Sequence, residues 1–338
     1  MTETNRDRQT GGPGQPATRD GHPTEEFLRR PLGSTGLPVT PICVGGGPLG
    51  SMPDLFGYDV SAERGTETAL AALTGPFNFL DTAAGYSDGE SERRIGAALA
   101  RIGGVPEGFV LATKVDRNFA TGDFSGDQVR RSAEESLARL GLDHLPLVYL
   151  HDPENISFAA GMAPGGPVET LLELQREGIV GQLGVAGGPV ALMAEYLRTG
   201  HFSALITHNR WTLVDRSACD LLDEAVSLGV GVVNGAPFGS GILAKGPAHF
   251  TKYAYRQADP EVLRRIRAME EACALHGVPL AAAALQFSLR DPRITSTIVG
   301  VSRPERIAET ARLATWDIPE ELWETLAPLT APKDFWLW

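Results

Sequence analysis

Four polar residues stand at or just beyond the ends of apolar runs. They are Asp81 and Tyr86 in FLDTAAGY, Lys114 in VLATKV and His151 in LVYLHDP. Their types make a proton-transfer set. A phenol serves as acid or base, and an ammonium beside it favours the phenolate. A carboxylate holds the ammonium charged, and an imidazole orients a carbonyl or relays a proton. On this reading Lys114 lowers the pKa of Tyr86 from its ordinary value near ~10, and Asp81 fixes Lys114. None of the four carries a hydride, so a nicotinamide has to supply it. Any one of them alone would pass for a helix cap, a surface charge or a packing residue. Their order and spacing carry the argument.

The elements that position them follow from periodicity. Short β-rich runs occur at PICVG (41–45), FNFLDT (77–82), FVLATKV (109–115) and LPLVYLH (145–151). Four more are GQLGVAG (181–187), SALITHN (203–209), GVGVVNGAP (229–237) and TSTIVGV (295–301). Helical patterns lie between them. SAERGTETALAAL is one, and a second runs from a Ser125 N-cap to Gly141. VETLLELQREG closes on Gly178 and RSACDLLDEAVSLG on Gly229. Alternating strands and helices imply a parallel sheet with helical crossovers. Asp81, Lys114 and His151 follow one another at intervals of 33 and 37 residues. Eight runs at a near-constant period predict an α/β fold, a (β/α)8 TIM barrel. A doubly wound sheet would want a GxGxxG turn after its first strand, and GGGPLG (45–50) lacks that spacing.

In such barrels the chemistry sits at the C-terminal strand ends, which is where Asp81, Lys114 and His151 fall. The turn residues Gly33 to Gly36, between apolar positions, predict an N-terminal β-hairpin across the barrel floor. The 63 positions from Pro237 to Gly300 exceed one repeat, which predicts a long loop over the catalytic face from about Ser240 to Pro260. A short helix and an aromatic end with Trp323, Trp336 and Trp338 close the chain.

The 338 residues, 42% of them hydrophobic, suit one barrel domain over 27–338. The segment 1–26 is rich in Gly, Pro, Thr, Asp and Arg and predicts a disordered tail. A net charge of -12 with no basic cluster argues against a nucleic-acid partner. No apolar run reaches the ~18 residues of a membrane span, and the N-terminus lacks an apolar signal core. Cys43, Cys219 and Cys273 are odd in number, far apart and without CxxC. That argues against a disulfide framework and structural zinc, and predicts reduced thiols in a cytoplasmic protein. Neither a metal nor a particular oligomeric state is implied.

The chain resembles the aldo-keto reductase family from about Leu28 to Ile318. The resemblance rests on LGSTGLPVT, FLDTAAGYSDGESERRIGAAL, NRWTLVDR (209–216), APFGSGILA (236–244) and IVGVSRPERIAET (298–310). It implies an NAD(P)-dependent oxidoreductase with Asp81, Tyr86, Lys114 and His151 as its catalytic tetrad and Tyr86 as general acid/base. HNRWTLVD and NGAPFGSGIL are most similar to the aldose 1-dehydrogenase branch (D-threo-aldose or L-fucose dehydrogenase-like). That implies a sugar hemiacetal or a small aldehyde or ketone as substrate.

The cofactor contacts implied by the resemblance are Gly45, Gly46 and Asp81, then His208 and Asn209, then Phe238, Gly239, Ser240 and Gly241. Gly300, Ser302, Arg306 and Thr310 complete the set. Ala186 and Gly187 replace a Ser-Asn pair that holds the carboxamide in many members, which makes His208 and Asn209 the candidates. Gly235 replaces an aromatic that stacks on the nicotinamide, and Phe238 is a candidate substitute. The loop at 239–241 offers backbone N–H groups to a pyrophosphate. Gly300 replaces a cation that attracts the 2′-phosphate, so NAD is favoured over NADP, although Arg303 and Arg306 remain. Met52, Phe56, Tyr86, His151, Trp211 and the C-terminal tryptophans are candidate substrate walls. Two other readings compete: a lyase of the same fold with a Schiff base on Lys114, and a cofactor-sensing regulatory subunit.

Overall fold

Side chains alternate across a strand, and in this chain the alternation builds one column of residues inside a closed sheet. The structure is a computed structural model and describes residues 27–337. The tail expected over 1–26 and Trp338 lie outside the described residues. The barrel strands are β1 (Ile42–Gly45), β2 (Phe79–Asp81), β3 (Val110–Val115) and β4 (Leu145–His151). They continue with β5 (Val180–Gly187), β6 (Ala204–His208), β7 (Gly231–Gly235) and β8 (Ser296–Gly300). All neighbours are parallel, and β8 pairs with both β7 and β1 to close the ring. The expected (β/α)8 barrel is the observed fold.

Phe79, Val110, Ala112, Leu147 and Tyr149 form part of the buried barrel interior. Two residues further along the same strands come Asp81, Lys114 and His151, so these three belong to the top layer of that column. Register agrees, with Asp81 opposite Ala112 and Lys114 opposite Tyr149. The other strand faces, such as Leu80, Leu111, Val148 and Leu205, pack into a second core beneath the helices.

The crossovers are α1 (Ala62–Leu73), α2 (Glu90–Ile102), α3 (Gly126–Leu140), α4 (Pro167–Arg176), α5 (Val190–Arg198) and α6 (Cys219–Ser227). Ser125 caps α3 by accepting from the Gln128 N–H at 3.3 Å, and Gly141 ends it at φ 69. The crossover α5, from VALMAEYLR, fills the expected helical segment between the fifth and sixth strands. Between β7 and β8 lie a helical turn (Ile242–Lys245), a two-residue hairpin (Lys252–Tyr253 with Arg256–Gln257), α7 (Pro260–Leu275) and α8 (Leu280–Leu289). The excess length there is therefore a loop plus an additional helix, not a loop alone. After β8 come α9 (Glu305–Ala314) and α10 (Glu320–Leu326). No single helix among the described residues is long and apolar enough to cross a membrane.

The floor hairpin is present, pairing Arg30–Pro31 with Pro38–Val39 around a 3-10 turn at Gly33–Thr35. Leu32 plugs the barrel from below, fully buried. Gly33 sits at φ 52, and a Cβ there would run into the backbone of Gly231 at the start of β7. Asn78 ties the hairpin to the sheet, donating to the carbonyls of Pro38 and Gly108 at 2.8 Å and accepting from the Thr40 N–H at 2.7 Å.

Candidate active site

Lys114 Nζ donates to Asp81 Oδ2 at 2.6 Å, to the Thr82 carbonyl at 2.7 Å and to the Tyr86 hydroxyl at 3.2 Å. The ammonium and carboxylate are each only 3% exposed, so neither is compensated by solvent. Burial works against the charge on Lys114, but Asp81 and Tyr86 outweigh it and hold the group above its ordinary range. Burial raises Asp81, and Lys114 opposes that rise; the pair stands as an ion pair.

Tyr86 departs from the sequence-based expectation. Burial raises its pKa, and Lys114 counters only in part. The phenol is therefore not acidified; it is protonated at neutral pH. The ring of Tyr86 lies edge-on to that of His151, with centroids 5.8 Å apart. Desolvation dominates because two loops roof the site. Phe56 and Tyr86 would both meet a Cβ at Gly47, at 3.8 and 3.7 Å. Tyr255, on the hairpin after β7, stands close enough to Tyr86 to add to its shift.

His151 carries a partner that sequence reasoning missed. Its Nδ1 lies 2.7 Å from Asp116 Oδ1. Asp116 is 4% exposed, and its Oδ2 accepts from the Gly85 N–H at 2.7 Å. The carboxylate thus links His151 to the residue before Tyr86. The signal for it was present: Asp116 follows Lys114 by two positions and so continues the inward face of β3. Asp152 Oδ1 stands 3.8 Å from the other ring nitrogen of His151. Burial disfavours the imidazolium, but Asp116 and Asp152 overcome this and raise His151.

The residues expected to hold a cofactor lie at or beyond the ends of β1, β2, β6, β7 and β8. His208 ends β6 with its Nδ1 3.1 Å from Asn209 Nδ2, while Asn209 Oδ1 is buried without a partner. Burial pushes His208 down to about 4, so it is neutral. The Asn209 backbone is held at φ 59 by Tyr253, whose hydroxyl donates to its carbonyl at 2.6 Å. Gly239, Ser240 and Gly241 run through φ 55, 65 and 112, and the Gly239 and Gly241 N–H groups, expected on a pyrophosphate, donate to the Ala236 and Phe238 carbonyls at 2.9 Å. Gly45 ends β1 beside Gly300, where a Cβ would come within 3.2 Å of the Gly300 backbone. The next residue, Gly46, donates its N–H to the Asp81 carbonyl at 2.7 Å. After β8, Ser302 is half-buried and Thr310 is buried on α9. Arg306 is paired to Glu309 at 2.8 Å, and Arg303 has Glu305 and Glu309 at 3.8 and 3.6 Å.

Of the residues expected as substrate walls or, for Phe238, against the nicotinamide, several pack on the helix-side core. Trp211 is 7% exposed and belongs to the helix-side core, against Phe287 and beneath Arg293 at 4.7 Å. It is a packing residue. Phe238 packs against that same core, and the atoms nearest a Cβ at Gly235 are those of His208 and Thr207. Trp323 lies over Arg290, and Trp336 donates its indole N–H to the Ala331 carbonyl at 2.7 Å. Those contacts are made away from the tetrad. Met52, half-buried, immediately precedes the Pro53–Phe56 turn.

The aldo/keto reductase family model matches residues 41–330. The chain belongs to the aldo/keto reductase family. Its curated relatives in this family include a D-threo-aldose 1-dehydrogenase from a Pseudomonas species, 31% identical over 76% of this chain and 85% of that protein. An L-galactose dehydrogenase from Arabidopsis thaliana is 31% identical over 85% and 88%. A pyridoxal 4-dehydrogenase from Microbacterium luteolum is 29% identical over 88% and 96%. Among solved structures, the holo form of an aldo-keto reductase from Bacillus halodurans superposes with a TM-score of 0.75. It is 21% identical, covering 92% of this chain and 99% of that one. This member of the aldo/keto reductase family is an oxidoreductase.

Proposed function

We propose that the protein transfers a hydride between a nicotinamide cofactor and the carbon of a carbonyl or alcohol, with a sugar hemiacetal or a small aldehyde or ketone as substrate. The observation that carries this is the top layer of the barrel. A buried Asp81–Lys114–Tyr86 chain faces His151, which places a phenol and an imidazole around one position at the mouth. The reacting oxygen belongs between them, and Tyr86 and His151 together exchange its proton. The protonated phenol donates to an oxygen that gains charge in reduction, and Lys114 stabilises that charge from behind.

The residues present suit a dinucleotide. The unpartnered Asn209 Oδ1 is an acceptor for a carboxamide N–H, and glycines at 239 and 241 leave the loop after β7 open to close approach by a ligand. When bound, the nicotinamide supplies or takes up the hydride. We favour NAD over NADP, because Gly300 offers no cation and both nearby arginines already have glutamate partners. The named substrates of two relatives are sugars, which supports a sugar hemiacetal here. A Schiff-base lyase fits poorly, since Lys114 is held as an ammonium by Asp81 and the Thr82 carbonyl while a Schiff base needs the free amine.

The test is a tryptophan-fluorescence titration with NADH and NADPH, followed by aldose oxidation assays. Tight binding of either and turnover of an aldose support the reading; a folded protein that binds neither overturns it. Tyr86→Phe should lower kcat by at least about 10²-fold while cofactor affinity stays within twofold or so. A variant that keeps most of kcat removes Tyr86 from the chemistry.

A further inference from the structure

Of the carboxylates around His151, one lacks a donor. Asp81 accepts from Lys114, Asp116 from the Gly85 N–H and Glu154 from the Gly188 N–H at 3.1 Å. The Asp152 carboxylate accepts no hydrogen bond among the described residues. His151 Nε2 stands 3.8 Å from its Oδ1, beyond hydrogen-bond reach. The Asp152 side chain is 39% exposed, against 14% for the imidazole, so it is open to a ligand at the mouth.

The backbone sets that position. Alternation past His151 would send residue 152 toward the helices. Asp152 instead adopts φ 44 and ψ 53, a left-handed conformation that aspartate tolerates better than most residues. Both its backbone groups are tied. The N–H donates to the Ala186 carbonyl at 2.7 Å, and the carbonyl accepts from the Asn155 N–H at 3.1 Å and from its side-chain amide at 2.8 Å. Only the carboxylate is left free, and it acts across the mouth. After burial, its charge is the largest influence on His208, at the end of β6, and on Glu154. Tyr255, shifted chiefly by burial, also feels it from the hairpin after β7.

We propose that Asp152 is a specificity-determining residue that accepts a hydrogen bond from the hydroxyl next to the reacting carbon, so that the site selects aldoses with a free C2 hydroxyl. This deepens the sugar hemiacetal reading above and rests on it. The chemistry at the reacting oxygen stays with Tyr86 and His151. A substrate oxygen that meets His151 Nε2 has its neighbouring hydroxyl within reach of Asp152 Oδ1. A carboxylate only accepts hydrogen bonds, so a ligand that covers it must bring a donor. The C2 hydroxyl of an aldose brings one. A simple aldehyde or ketone brings none, and on binding it takes water from the carboxylate without replacing the hydrogen bond. The competing donor is the carboxamide of a nicotinamide, for which Asn209 Oδ1 is the unpartnered acceptor.

The experiment crosses Asp152→Asn with the removal of one substrate hydroxyl. Asparagine keeps the size and tolerates the left-handed backbone. D-Arabinose, L-galactose and L-fucose are assayed with NAD and NADP beside their 2-deoxy analogues. Wild type should prefer the best aldose over its 2-deoxy analogue by about 10²-fold in kcat/KM, the range of a hydrogen bond to a charged group. D152N should shrink that ratio to about tenfold or less, because a neutral acceptor is weaker. Taking the ratio cancels any general effect of the variant on His151 or on the fold. Fluorescence titration should give the two proteins the same NADH affinity within about twofold. An equal ratio in the two proteins overturns the proposal. So does a loss of NADH affinity with the ratio unchanged, which would assign the carboxylate to the cofactor. Saturation-transfer NMR of the aldoses with the protein–NADH complex separates the proposal from the reading beneath it. Aldose binding or turnover without 2-deoxy discrimination keeps the sugar reading and sinks Asp152 alone. Neither binding nor turnover of any aldose, by a protein that binds NADH, removes both.

Discussion

Lys114 carries its charge where water cannot reach it, and one carboxylate makes that tolerable. Taking an ammonium out of water costs several kcal/mol, which Asp81 at 2.6 Å and the Thr82 carbonyl offset. Asp81→Asn keeps the shape and removes the charge. It should cost about 3–5 kcal/mol of unfolding free energy at neutral pH, because it leaves an uncompensated buried ammonium. Urea titration of the two proteins measures this, and a loss below about 1 kcal/mol would mean that Lys114 is not charged in the fold. The same desolvation explains why the sequence misleads about Tyr86. Spacing places an ammonium near a phenol, and Coulomb attraction alone then lowers the phenol pKa. Sequence does not show that the roofing loops exclude water, and that exclusion wins. Asp116 was overlooked for a different reason: a single aspartate just beyond a strand looks like a loop residue until the strand end is known to one residue.

At the level of elements, the barrel was legible because its signals are local. The runs of β2, β3, β4 and β6 each reach a polar residue, and glycines follow α2 to α6. The four tetrad positions follow from the inward alternation of three strands and one loop. Trp211 shows where this logic stops. It lies beyond a strand end like the tetrad residues, yet its ring turns outward onto Phe287. Nothing in the local sequence sets the direction of a loop side chain. The floor hairpin, by contrast, has a requirement written into it. Gly33→Ala places a methyl against the Gly231 backbone in a left-handed conformation. Gly36→Ala has a similar conformation, φ 74, with nothing within 4 Å of its Cβ. The second should cost about 1 kcal/mol from conformation alone, and the first clearly more. Equal urea midpoints for the two variants would show that the hairpin does not seat against β7 as described.

Across the whole molecule, 42 acidic residues face 30 basic ones, and stability against pH sums over all of them. Comparing wild type with Asp116→Asn (D116N) cancels that background and leaves the Asp116–His151 pair. His151 is raised in the fold, so its contribution is full below its unfolded value, about 6.5, and fades as pH rises through the folded value. Asp116 is lowered, so its contribution is full above its unfolded value, about 3.9, and fades as pH falls through the folded value. The two overlap between about pH 4 and 6.5. The stability gap between wild type and D116N should therefore be widest in that window. It should narrow toward acid as Asp116 protonates, and toward alkali as His151 becomes neutral. Above the folded value of His151 a residual gap should persist, because the neutral imidazole still donates its Nδ1–H to the carboxylate. Urea unfolding at a series of pH values reads this directly. A gap that does not vary with pH would mean that the imidazole does not ionise against Asp116 in the fold.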